Sequence, residues 1–263
     1  MLDQLTRKKI QEWASPMDQD LTIRITGLDH GSQDDIDRFC DNFSAIAPFV
    51  RIEPWEEGSL SPKGPPLPGM ALADNIFWCA IPLERELSPF LDSLTLVRFR
   101  SPEPEKKILE KLKQIQVPCD LTLYIAQHCP HCPKVVDTIL PLAVFSDKIR
   151  LTIIDGSLFP EAARESRVMS APCLILDEEF RWTGQVSATE IITMMAGKDV
   201  SRLSARSLKG IIEEGDAQWI TDLVVRMGTL PRGFDRGALQ NEISEFMADF
   251  VGQSLGEFDL TYA

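Results

Sequence analysis

Gln127-His128-Cys129-Pro130-His131-Cys132-Pro133 decides the fold. It follows Leu121-Thr122-Leu123-Tyr124-Ile125-Ala126, a short apolar and β-branched run that reads as a buried strand. It precedes Lys134-Val135-Val136-Asp137-Thr138-Ile139-Leu140, whose apolar positions fall at helical spacing. The two cysteines therefore sit where a strand turns into a helix. Cys129 is expected at the helix N-terminus, where unpartnered N–H groups and the positive end of the dipole favour a thiolate. Pro130 suits a first helical turn, where its missing N–H costs nothing. Cys132, three residues on, lies on the same side of that turn and can attack a mixed disulfide on Cys129. His131 adds positive charge between them when protonated. This assigns Cys129 as the nucleophile and Cys132 as the resolving thiol.

The competing readings are a metal site and a structural disulfide. Zinc usually takes four ligands from paired motifs. The chain has one C-x-x-C and three histidines, and His128 and His131 are too close to the cysteines to enclose an ion easily. A C-x-x-C after a strand in a βαβ context is the thioredoxin-like redox signal.

Composition sets the outer bounds. The 263 residues suggest about two domains. Hydrophobic content of 44% and charged content of 25% are ordinary globular values. A net charge of −13 argues against nucleic acid or an anionic membrane surface as partner. No apolar run is long enough to span a membrane, and the first ten residues lack a signal core, so a cytoplasmic protein is expected. Six cysteines are too few for a disulfide-built scaffold.

The flanking chain supplies the rest. A helix is expected over 3–14 and a strand over 21–26. A helix then carries Ile36, Phe39, Cys40 and Phe43 on its apolar face, before a strand at 49–53. Residues 54–69 read as a Pro- and Gly-rich break. A third strand at 75–81 and a helix at about 84–97 complete a β-α-β, β-α unit without C-x-x-C, resembling a thioredoxin fold that lacks its active site. Pro102 and Pro104 mark a boundary, and 104–116 reads as a connecting helix. After the C-x-x-C helix, which Pro141 is expected to kink, come a strand at 149–154 and a helix at 158–167. Pro172 then opens a strand about forty residues after C-x-x-C, where thioredoxin-like folds place a cis proline whose preceding peptide lies against the sulfurs; the plain alternative is a trans proline on an edge strand, and the upstream C-x-x-C favours cis. Asp177-Glu178-Glu179 reads as a hairpin turn and Ser187 with Glu190 as a capping box. Cys119 and Cys173 read as packing residues, the alternative being that either couples to the redox pair.

Residues 1–198 resemble the N-terminal tandem thioredoxin-fold domain of the bacterial alkyl hydroperoxide reductase flavoprotein subunit. The resemblance rests on Cys129-Pro-His-Cys132-Pro-x-Val-Val, Leu142-Ala-Val, Ile154-Asp-Gly156, Arg167-Val-Met169, Ala171-Pro172 and Thr189-Glu-Ile191. It implies an α/β fold, two fused thioredoxin-like folds with a central mixed sheet flanked by helices. The units are 1–101 without active-site cysteines and 102–198 with C-x-x-C, followed by a helical extension at 199–263. It implies a thiol–disulfide oxidoreductase with a redox-active Cys129–Cys132 disulfide and no bound cofactor. Electrons would come from a flavin-dependent thioredoxin-type reductase and pass to a peroxiredoxin or another disulfide-bearing protein. The flavin and nicotinamide domains of that family do not follow the thioredoxin folds here, so the reductant is expected to be a separate protein. The family also carries a buried acid near the thiols, and Glu86 falls at the matching place; the alternative is a solvated helix glutamate. The Pro-His dipeptide is that of oxidising thiol oxidases, and stabilising the thiolate raises the reduction potential. The segment 199–263 reads as three helices that serve either as a packed appendage or as a homodimer or partner-docking module. The competing function is a redox-sensing or metal-holding adaptor that binds partners through this tail.

Overall fold

The computed structural model describes residues 2–17, 19–26, 33–55 and 67–197. The expected extension at 199–263 lies outside the described residues. In chain order the first elements are α1 (Gln4–Ala14), β1 (Leu21–Thr26), α2 (Gln33–Ile46), β2 (Val50–Pro54), β3 (Gly69–Ala73), β4 (Ile76–Cys79) and α3 (Leu87–Phe99). There follow α4 (Lys106–Leu112), β5 (Cys119–Ile125), α5 (Cys132–Val144), β6 (Ile149–Asp155), α6 (Pro160–Glu165), β7 (Cys173–Leu176), β8 (Phe180–Thr183) and α7 (Ala188–Gly197).

The strands form one eight-stranded mixed sheet in the order β2-β1-β3-β4-β6-β5-β7-β8. Its two halves repeat one pattern. β1 pairs β2 in parallel and β3 antiparallel, and β3 pairs β4 antiparallel. β5 likewise pairs β6 in parallel and β7 antiparallel, and β7 pairs β8 antiparallel. The halves meet where β4 runs parallel to β6, Ile76 opposite Leu151 through Cys79 opposite Ile154. Central parallel strands are covered on both faces and read as unbroken apolar runs. All four residues of β4 are buried, as are Leu151 to Asp155 of β6.

The sequence pattern does not predict β3. Gly69-Met70-Ala71-Leu72-Ala73 is poor in strand-forming residues and follows a Pro-rich stretch. Tertiary context makes it a strand, because β1 and β4 flank it on both sides. Gly69 is required there, since a Cβ would lie 2.7 Å from the Trp78 carbonyl oxygen. The connecting helix α4 is shorter than the periodicity of 104–116 predicts, although Leu112 and Ile115 are both buried. α5 continues through Pro141 to Val144.

The first half packs on an aromatic cluster. Phe90 of α3 meets Phe39, Phe43 and Trp78 edge-on, with ring centroids 5.3–5.9 Å apart. This anchors the start of α3 against the sheet. α3 packs in turn on α5 of the second half.

Asn75 ties the halves together at the head of β4. Its side-chain Nδ2 lies 2.9, 3.4 and 2.7 Å from the carbonyl oxygens of Ala143, Ser146 and Ile149. Its own carbonyl accepts from the Leu151 N–H at 2.8 Å. Asn75→Ala removes donors from carbonyls that end α5 and begin β6. It is expected to cost about 1–3 kcal/mol of unfolding free energy, measured by urea denaturation.

Candidate active site

β5 ends at Ile125, and the chain turns at once. The Cys129 N–H donates to the Ala126 carbonyl at 2.9 Å, closing a tight turn over 126–129. The helix begins later than the sequence pattern predicts. α5 starts at Cys132 with His131 as N-cap and a proline, Pro133, in its first turn. Cys129 therefore precedes the helix, and Pro130 belongs to the turn. The first helical N–H, that of Cys132, nevertheless donates to Cys129 Sγ at 3.1 Å.

Cys129 and Cys132 form a disulfide, with Cα atoms 5.6 Å apart. Cys129 is 9% exposed and Cys132 2%, so an incoming group reaches Cys129 first. The Ala171 carbonyl oxygen lies 3.5 Å from Cys129 Sγ, and the Ala171–Pro172 bond is cis. Pro172 is thus at the sulfurs, brought there by β7, whose first residue Cys173 pairs with Tyr124 of β5. The imidazole of His131 is exposed and makes no capping hydrogen bond.

Glu86 immediately precedes α3 and is 3% exposed. Neither carboxylate oxygen has a hydrogen-bond partner among the described residues. Its carbonyl accepts from the Phe90 N–H at 3.0 Å, so the aromatic anchor that fixes α3 also fixes this acid inside. Burial pushes its carboxyl from 4.5 up to about 8, with a further upward contribution from the charge of Asp155. Asp155 ends β6 opposite Ile125, at the strand end that leads into the C-x-x-C turn. It is 7% exposed and accepts from the Ser157 N–H at 2.8 Å.

Two participants carry no signal that assigns them from sequence. Asp155 is visible there only as an acid closing the apolar run Leu151-Thr152-Ile153-Ile154. The second is Glu84, whose Oε2 lies 3.0 Å from Nδ1 of His128, the residue before Cys129. The remaining described cysteines are buried. Burial pushes the Cys40 and Cys79 thiols up to about 12, as expected of inert packing residues. Among the described residues no group of three or more His, Cys, Asp or Glu is placed to hold a metal ion, and no helix is long and apolar enough to cross a membrane.

Residues 120–196 match the thioredoxin domain family model. The chain is 22% identical over 205 residues to an NADH dehydrogenase of Ferdinandcohnia aciditolerans, covering 78% of this chain and 39% of that protein. It is 27% identical over 142 residues to the alkyl hydroperoxide reductase AhpF of Pseudomonas aeruginosa, covering 52% of this chain and 27% of that one. The chain thus spans about two fifths of the length of the first of these relatives. Among solved structures, the N-terminal domain of AhpF from Enterococcus faecalis superposes with a TM-score of 0.62 at 20% identity, covering 74% of this chain and 100% of that one. A protein disulfide oxidoreductase from Aeropyrum pernix superposes with a TM-score of 0.64 at 17% identity, covering 78% and 97%. The chain resembles the AhpF N-terminal domain. It shares the thioredoxin-like fold of both structures.

Glu86 makes stability depend on pH in a definite sense. Its folded value lies above its ordinary one, so its contribution is fully present below about 4.5 and is lost as pH rises through about 8. Glu86→Gln cannot ionise and escapes that loss. Urea unfolding at about pH 5 and about pH 9 is expected to show the wild type losing on the order of a few kcal/mol more than the variant between the two.

Proposed function

We propose that this chain is a thiol–disulfide oxidoreductase that relays electrons from a flavin-dependent reductase to a protein disulfide, such as that of a peroxiredoxin. The observation that carries the reading is the asymmetry of the sulfur pair. Cys129 is the more accessible sulfur and accepts the Cys132 N–H. In the dithiol state that N–H stabilises a Cys129 thiolate. The thiolate attacks the substrate disulfide, and one substrate sulfur leaves as a thiolate. Cys132 then attacks Cys129 Sγ, the mixed disulfide breaks, the second substrate sulfur leaves, and Cys129–Cys132 is restored. The reductase returns two electrons and two protons to complete the cycle.

Glu86 supports this cycle as the acid that holds the proton of the buried sulfur. A carboxyl raised to about 8 exchanges protons in the range where thiols do. Pro172 and the Ala171 carbonyl shape the outer side of Cys129, where the substrate backbone approaches. His131 supplies positive charge at the mouth when protonated. In this reading residues 1–101 form the unit without active-site cysteines that contributes Glu86, and 102–198 form the redox unit. The similarity to AhpF and to a protein disulfide oxidoreductase supports it.

Cys132→Ser removes the resolving thiol and should arrest the cycle at the mixed disulfide. Reduced Cys132→Ser incubated with glutathione disulfide or insulin is expected to form a covalent adduct at Cys129, visible by mass and released by dithiothreitol. The absence of any adduct, with Cys129 shown reduced by alkylation, would contradict the reading.

A further inference from the structure

The turn at 84–86 sends its two carboxylates to different places. Glu86 goes inside. Glu84 stays at the surface, with its Oε2 3.0 Å from His128 Nδ1. Glu84 holds φ at 48°, a left-handed conformation that a glutamate rarely adopts. The contact spans the two halves of the sheet, from the turn before α3 to the residue before the nucleophile. His128 itself belongs to the turn that the Cys129 amide closes on Ala126. Its backbone is therefore held by the site and its ring by the opposite half.

This arrangement has a chemical consequence. A carboxylate on Nδ1 keeps the proton at that nitrogen and leaves Nε2 as the exchanging position. The side chain is 81% exposed, so Nε2 is open to bulk water. His131 has no carboxylate partner among the described residues. Glu86 is buried, away from the surface where a leaving group departs.

We propose that His128, oriented by Glu84, is the general acid that protonates the thiolate leaving the substrate. Glu84 is a positioning residue, acting through the ring. The inference rests on the oxidoreductase reading above. When the Cys129 thiolate attacks a substrate disulfide, the Cys129–substrate S–S bond forms and the substrate S–S bond breaks. The electron pair leaves on the outer sulfur, and the His128 Nε2 proton moves to that sulfur, giving a neutral thiol and a neutral imidazole. When Cys132 attacks Cys129 Sγ, the Cys129–Cys132 bond forms, the mixed-disulfide bond breaks, and the second substrate sulfur, the one that was bonded to Cys129, leaves and takes a proton from Nε2. The two electrons come from the Cys129–Cys132 dithiol, which dithiothreitol regenerates in the experiment.

The test varies how much the leaving group needs a proton. Protein reduced with dithiothreitol and desalted reacts, in single turnovers at neutral pH, with glutathione disulfide or with the aryl disulfide 5,5′-dithiobis(2-nitrobenzoate). An alkyl thiolate is basic and benefits from protonation as it leaves, whereas the aryl thiolate leaves without it. His128→Asn keeps an amide N–H for Glu84 and removes Nε2. It is expected to slow glutathione disulfide by about tenfold, below the range of a buried general acid, and to leave the aryl disulfide within about twofold. Glu84→Ala is expected to move the same ratio in the same direction by a smaller factor. The proposal is overturned if His128→Asn matches wild type on both disulfides, or slows both equally, which is the signature of a structural effect. An unchanged ratio in Glu84→Ala overturns the positioning role. If wild-type Cys129 fails to react even with the aryl disulfide, the oxidoreductase reading itself fails, and that outcome is separate from the others.

Discussion

The parallel pairing of β4 with β6 is the contact on which the rest of the molecule depends. It joins two four-stranded halves into one sheet and sets their relative position. Once β4 is fixed beside β6, the chain leaving β4 must pass the end of the sheet where β5 delivers the C-x-x-C turn. Glu84 and Glu86 lie on that passage, before α3. The turn before α3 thereby places one carboxylate against His128 and another in the interior, within the field of Asp155. The division of labour is physical. The second half holds the sulfurs and the cis Ala171–Pro172 peptide, and the first half holds Glu84 at the surface and Glu86 in the interior.

Burial of Glu86 opposes folding, since an ionised carboxyl without partners is costly in the interior. The surrounding structure overdetermines its place. Phe90, one helical turn on, is locked by Phe39, Phe43 and Trp78, and α3 has little freedom to rotate the acid outward. A raised carboxyl value is the consequence. The same strand end carries Asp155, whose charge reinforces the effect.

Much of this is legible from local pattern. The strand, the C-x-x-C and the helix behind it declare themselves because strand and helix periods differ and the cysteines fall at the change. The same pattern starts the helix three residues early. Pro130 fits a first helical turn, but so does Pro133, and nothing local says that the Cys129 amide closes a turn on Ala126. β3 is illegible because Gly69-Met70-Ala71-Leu72-Ala73 is a strand by virtue of its neighbours alone. Glu86 is placed by resemblance and not by pattern; a glutamate before a helix looks solvated until Phe90 is known to be buried. The Glu84–His128 contact is illegible too, since it spans more than forty residues and depends on a left-handed glutamate.

In the proposed function Cys129 and Cys132 form a reversible couple that passes electrons onward. The most direct test is a redox titration of the pair in dithiothreitol and glutathione buffers, read by alkylation and mass. One two-electron transition near the thioredoxin range, about −270 mV, is expected. A midpoint near about −120 mV would contradict the relay and make the protein an oxidant. A pair that never titrates would contradict the couple altogether.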